Sequence, residues 1–167
     1  GWELIAQYIE MESPSAVGLY LGCLQTRRKF ATAEGKELVM MEYDMTAFLD
    51  QCIEKYRQVT GFTGDFPKAP TPFLYEDSMR KPGSSGGVMQ PDDLDGDDAA
   101  VRGELADTAS KVLMKILYAA RMARYDMMRG VQGLARYFNK WSKRNDEEIF
   151  RLVCYLYHSK HRVTRAW

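Results

Sequence analysis

Apolar and polar positions change their period twice along this chain. From Val17 to Gln25 and from Lys36 to Met41 the apolar residues fall in short runs of strand length, around a polar stretch, Thr26 to Gly35, that holds Arg27, Arg28, Lys29 and Gly35. Two such runs about a Gly-containing connection predict a β-hairpin with a basic tip. From Thr46 the spacing turns helical, with Phe48, Leu49, Cys52, Ile53, Tyr56 and Val59 on one face. Asp44 or Thr46 is placed to cap this helix and Gly61 to end it.

Periodicity then stops. Residues 62–105 are punctuated by Pro67, Pro70, Pro72, Pro82 and Pro91, by Gly83, Gly86, Gly87 and Gly96, and by an acidic run from Asp92 to Asp98. That composition predicts a flexible acidic linker, because it offers too little apolar surface to offset the entropy of ordering. Helical spacing returns at Val112, Leu113, Ile116, Leu117 and Ala120, again from Met127 to Phe138, and a third time at Ile149, Leu152, Val153, Leu156 and Tyr157. Asn145 or Asp146 is the expected N-cap of the last helix, with Glu147 and Glu148 suiting the positive end of its dipole. The expected fold class is α+β, with a hairpin and helix over 1–61, the linker over 62–105 and a three-helix unit over 106–167.

Composition adds a core and an uneven field. With 167 residues, 46% of them hydrophobic, the chain can bury a sizeable interior. Lys and Arg balance Asp and Glu at 23 each, yet residues 101–167 carry 14 basic against 6 acidic side chains and residues 84–100 carry 0 against 5. A C-terminal surplus of positive charge suits phosphate backbones or acidic protein faces. Cys23, Cys52 and Cys154 sit singly inside apolar patterns, which predicts reduced core thiols and an intracellular chain. No apolar run approaches the roughly 18 residues that span a bilayer, so no membrane partner is expected.

Most catalytic chemistry has no foothold. There is no Gly-x-Ser-x-Gly elbow, no catalytic Cys signature and no Walker loop, and Gly83 to Gly87 lacks the Lys and helix that a phosphate loop requires. The acidic run fails as a calcium loop. Counted from Asp92, the sixth and twelfth positions are Asp97 and Gly103; counted from Asp93 they are Asp98 and Glu104, so the required Gly is missing in both. His158 and His161 stand among Lys160, Arg162 and Arg165 without a further ligand, which reads as a basic helix end. No catalytic and no metal residues are expected. Lys111, Lys115, Arg121, Arg124, Arg129 and Arg136, interleaved with Tyr118, Tyr125 and Tyr137, form the one constellation suited to neutralising phosphates and stacking on sugars or bases. The alternative is a stand-alone helical protein–protein interaction module using the Met- and Tyr-rich faces.

Two segments carry a family resemblance. Leu19-Tyr20-Leu21-Gly22-Cys23, then Gly35 to Met41 and the helix with Phe48, Leu49 and Tyr56, resemble the Phe/Tyr-Leu-Gly-Ile strand, turn, second strand and helix of copia-type (Pseudoviridae-like) LTR retrotransposon reverse transcriptases. Leu113 to Met127 is similar to that family's Leu-x-Tyr-Leu-Ala-x-x-Thr-Arg-Pro-Asp-Ile block. Leu134 to Phe138 and Ile149 to Tyr157 are similar to its Leu-Ser-Arg-Phe and Lys-Arg-x-Leu-Arg-Tyr-Leu-Lys-Gly-Thr blocks. Tyr125 stands where the family has Pro, and Tyr157-His158-Ser159 where it has Lys-Gly-Thr.

The resemblance implies the end of a polymerase palm with a primer-grip hairpin, followed by a thumb. Tyr20, Leu21 and Gly22 would be grip residues, and Lys111, Lys115, Arg121 and Arg124 would meet the phosphates of an RNA:DNA or DNA primer-template. The remaining partners would be the fingers and palm and an RNase H domain, in a cytoplasmic virus-like particle or the nucleus. Polymerisation needs two metal ions, Mg2+ in the full enzyme, held in this family partly by a Tyr-x-Asp-Asp motif. This chain has no such motif, and on its own it is expected to be an inactive fragment of an RNA-directed DNA polymerase.

Overall fold

A computed structural model describes residues 1–73 and 101–167. The fold is α+β: among the described residues, a four-stranded antiparallel sheet with five α-helices. In chain order these are α1 (Trp2–Ala6), β1 (Leu19–Tyr20), β2 (Cys23–Ala31), β3 (Glu37–Asp44), α2 (Thr46–Thr60), α3 (Ala109–Met122), α4 (Met128–Ala135), α5 (Lys143–Ser159) and β4 (Thr164–Ala166). The strands lie in the order β1-β2-β3-β4. The acidic run and the Gly83 to Gly87 stretch lie outside the described residues.

The hairpin exists, but its boundaries differ from the expected ones. Thr26 to Lys29, expected in the connection, belong to β2, and the turn lies at Thr32 to Lys36 with Gly35 at φ 78°. The charges are tolerated in a strand because β3 supplies partners. Arg28 meets Glu42 at 3.3 Å and Lys29 meets Glu37 at 2.6 Å. The first apolar run is also divided, since a two-residue turn at Leu21 and Gly22 folds β1 back on β2, pairing Tyr20 with Cys23. Strand β4 adds to β3 near the end of the chain, where Arg165 Nε meets Glu42 Oε2 at 2.9 Å.

Helix α2 ends at Gly61 as expected, but its N-cap is Met45, between the two residues expected to cap it. The Thr46 N–H donates to Asp44 Oδ1 at 2.7 Å, and Gly61 closes the helix in the left-handed region at φ 68°. Helix α5 starts earlier than expected. Ser142 is its N-cap, in a reciprocal capping box with Asn145, so Asn145 is the third helical residue and Asp146 is free for another task.

The helix of the N-terminal lobe and the helices of the C-terminal one share a single core. Leu49, Cys52 and Ile53 of α2 are buried with Val112, Leu113 and Ile116 of α3, Val131 and Leu134 of α4, and Ile149, Leu152 and Leu156 of α5. Residues 62–73 and 101–105, assigned to the linker by composition, pack against this core. Phe66 is 4% exposed and stacks near Tyr56, Phe62, Phe150 and Tyr157, while its carbonyl accepts from His158 Nε2 at 2.8 Å. That bond gives His158 a structural task. Arg151 reaches Thr71 Oγ1 at 3.1 Å, and Leu105 joins the core. All three thiols are buried and unpaired. Burial pushes Cys52 up to about 12 and Cys154 to about 11, so both stay protonated and unreactive at neutral pH.

Candidate nucleic-acid interface

The candidate residues form a face where the β1–β2 turn meets α2 and α3. At 100° per residue, Lys111, Met114, Lys115, Tyr118, Arg121 and Met122 fall within an arc of about 120° on α3. Core positions Val112, Leu113, Ile116, Ala119 and Ala120 occupy the opposite side. Lys111 and Arg121 are exposed and Lys115 is half-buried. Lys115 Nζ donates to Gln51 Oε1 at 3.3 Å and lies 5.3 Å from the Phe48 ring centroid, contacts that hold the stem against α2.

The turn is built into this face. Leu21 has φ 47° and Gly22 φ 82°, both left-handed, as a type I′ hairpin turn requires. A Cβ on Gly22 would stand 2.9 Å from Phe48 Cδ2, so glycine is needed there for both its φ and its closeness to α2. Phe48 in turn contacts the Tyr118 ring at 5.1 Å between centroids. Tyr118 donates its hydroxyl hydrogen to the Leu21 carbonyl at 2.7 Å. The turn is therefore tied to α3 through the Leu21 backbone, with the Tyr20 and Leu21 side chains each 61% exposed. Neither is a core residue of the hairpin.

Arg124 departs from this group. It is 2% exposed, its Nε and Nη2 donate to Asp126 at 2.9 and 2.8 Å, and Nη1 and Nη2 donate to the Ser159 carbonyl and hydroxyl at 3.0 and 2.8 Å. With those donors engaged in the interior it has no access to a phosphate, and it fastens the α3–α4 turn to the end of α5. Tyr155 donates to Asp126 at 2.7 Å and accepts from Arg162 at 2.8 Å, extending the network. Thr164 closes the same corner by donating to the Ala123 carbonyl. Burial pushes the Asp126 carboxyl up, but the Arg124 guanidinium and the Tyr155 hydroxyl outweigh it and hold the acid below its usual range.

Sequence reasoning did not single out Phe48 as a member of a site, and it named Tyr118 only with Tyr125 and Tyr137 as an aromatic among the cations, not as a partner of the turn. Phe48 fits an ordinary helical core pattern, and Tyr118 was one of three tyrosines among cations; only its position on the arc of Lys111 and Lys115 separates it from the others. Lys115 also lines a shallow groove of about 590 Å3 along α2, together with Asp50, Gln51, Ile53, Glu54, Lys55 and Gln58. Asp50 and Glu54 face Lys55 and Lys115 in that lining, and Asp50 is also paired with Lys160 at 2.5 Å, so the groove carries no surplus of positive charge. Among the described residues no three His, Cys, Asp or Glu side chains converge as a metal site needs, and no helix is long and apolar enough to cross a membrane. No family model matches the chain, and no curated protein or solved structure matches it.

Proposed function

We propose that this chain is the primer-grip and thumb portion of a copia-type reverse transcriptase and holds a primer-template duplex through phosphate contacts, without sequence preference. The observation that supports this most is the Tyr118–Leu21 hydrogen bond, which joins the two segments bearing the family resemblance at one cationic face. The duplex backbone would lie along Lys111, Lys115 and Arg121, with Tyr20 and Leu21 against its sugars. Catalysis would reside in carboxylates of a palm outside this chain. Among the described residues no three His, Cys, Asp or Glu side chains converge, so the Mg2+ pair would be held by that palm's own carboxylates. An RNase H domain, and residence in a virus-like particle or the nucleus, belong to the same reading.

Anisotropy with a labelled RNA:DNA duplex, from about 50 to 200 mM salt, tests it. Affinity is expected to fall steeply with salt, and Lys111→Ala or Lys115→Ala should each reduce the log–log slope by about 1. A salt-insensitive complex with a protein, and no duplex affinity, would instead support the helical interaction module.

Leu21→Asn separates contact from architecture. Asn tolerates the left-handed region better than Leu, so stability should hold or rise by up to about 1 kcal/mol. Binding should nevertheless weaken several-fold as the apolar contact is lost. Undiminished binding by a stable Leu21→Asn protein would make Leu21 a turn residue only.

A further inference from the structure

We infer that Tyr118 is a positioning residue that selects the conformation of the Leu21–Gly22 turn and thereby sets where Tyr20 and Leu21 stand relative to the cations of α3. The binding consequence rests on the nucleic-acid reading above; the conformational step does not. Leu is a poor residue for the first central position of a type I′ turn, where Asn, Asp or Gly avoids the clash of Cβ with the following carbonyl. Leu21 nonetheless has φ 47°.

An escape is available. Glycine adopts either sign of φ, so Gly22 also allows a type I turn, in which Leu21 would relax to φ of about −60° and Gly22 to about −90°. That turn, the mirror image of type I′, would carry the Leu21 carbonyl to the opposite face and reorient both exposed side chains. The Tyr118 hydroxyl holds that carbonyl at 2.7 Å, across 97 residues of sequence. Its ring is fixed in turn by Phe48, which fills the space beside Gly22. The donor is thus placed by packing rather than by the turn itself, and it stabilises the conformation that Leu21 alone disfavours.

Tyr118→Phe keeps the ring on Phe48 and removes only the donor. In the free protein, the φ-sensitive amide–Hα coupling and the carbon shifts of residue 21 are expected to leave their left-handed values. Duplex affinity is expected to fall about fivefold, the scale of one net hydrogen bond, with an unchanged salt slope because no cation is lost. Combining Tyr118→Phe with Leu21→Asn should return residue 21 to the left-handed region and restore the affinity of Leu21→Asn alone, since Asn holds that conformation without help. If the coupling and shifts of residue 21 stay as in wild type in folded Tyr118→Phe, the inference is overturned whatever the affinity does. If the turn relaxes but wild type shows no duplex affinity, turn selection stands and the nucleic-acid reading falls.

Discussion

Replacing Arg124 with alanine is expected to destabilise the protein by about 3 kcal/mol, the low end of what breaking a buried ion pair costs. Several groups lose their partner at once. In Ser159, a residue 3% exposed, the hydroxyl loses its donor and the carbonyl keeps only the Arg162 N–H, while Asp126 keeps only the Tyr155 hydroxyl among its side-chain partners. The low end applies because the Asp126 side chain is 35% exposed and water takes over part of its solvation. Lysine should recover little, since a single ammonium cannot reach the carboxylate and both Ser159 groups in the forked geometry that the guanidinium uses. Urea unfolding at neutral pH measures both variants. An Arg124→Ala protein within 0.5 kcal/mol of wild type, roughly the scatter of ordinary surface substitutions, would remove this corner from the stabilising features of the fold.

The same corner makes a pH prediction. Because the folded-state pKa of Asp126 lies below its unfolded value, the ionised acid contributes stability that is fully present above the unfolded pKa of about 4 and is lost as pH falls through the folded value. In Arg124→Ala the chief cause of the lowering is gone. The stability gap between wild type and variant should therefore narrow as pH falls through the acid range, while it stays constant near neutrality. A gap that is flat through the acid range would mean that Asp126 is not held ionised by Arg124.

Arg124 also shows where sequence reading fails. As one basic residue of many along α3 and α4 it is indistinguishable from Lys111 or Arg121, and only the return of α5, which brings Ser159 from 35 residues away, buries it. Amphipathic helices were legible because a period of 3.6 is a local property; the buried faces of α2, α3 and α5 follow it at Leu49, Ile53, Leu113, Ile116, Leu152 and Leu156. Strand boundaries were not. Arg27, Arg28 and Lys29 look like a loop until Glu37 and Glu42 are seen across the ladder. Strand β4 is three residues without pattern and exists only by pairing with β3. In the candidate site the cationic arc of α3 could be read from spacing, whereas the bond from Tyr118 to Leu21 depends on tertiary packing that no local pattern encodes.

Gly103→Ala should be at least as damaging, for a reason equally invisible in the sequence. A Cβ on Gly103 would stand 2.5 Å from the Ser142 carbonyl oxygen, 2.8 Å from its carbon and 2.7 Å from Asp146 Oδ2. The first two atoms are backbone at the N-cap of α5 and cannot swing aside as a flexible side chain would. The third belongs to a clamp in which the Asp146 carboxylate accepts from the Glu104 and Leu105 amides at 2.7 and 3.2 Å and from Trp141 Nε1 at 2.7 Å. Making room for one methyl group separates residues 103–105 from α5 and stretches those charge-assisted bonds. Overpacking and loss of such bonds together should cost about 3 to 5 kcal/mol, or roughly 10 °C in Tm for a chain of this size. Gly133→Ala is the matched control. Nothing lies within 4 Å of its added Cβ inside α4, so that substitution should stabilise by about 0.5 to 1 kcal/mol through helix propensity. Trp141 adds a local readout, being 4% exposed while Trp2 and Trp167 are 75% and 77% exposed. Its blue-shifted emission should move to the red in Gly103→Ala before global unfolding and stay unchanged in Gly133→Ala. Equal melting temperatures for the two alanine variants would show that the chain relaxes around position 103 and that the Asp146 clamp does not depend on a glycine there.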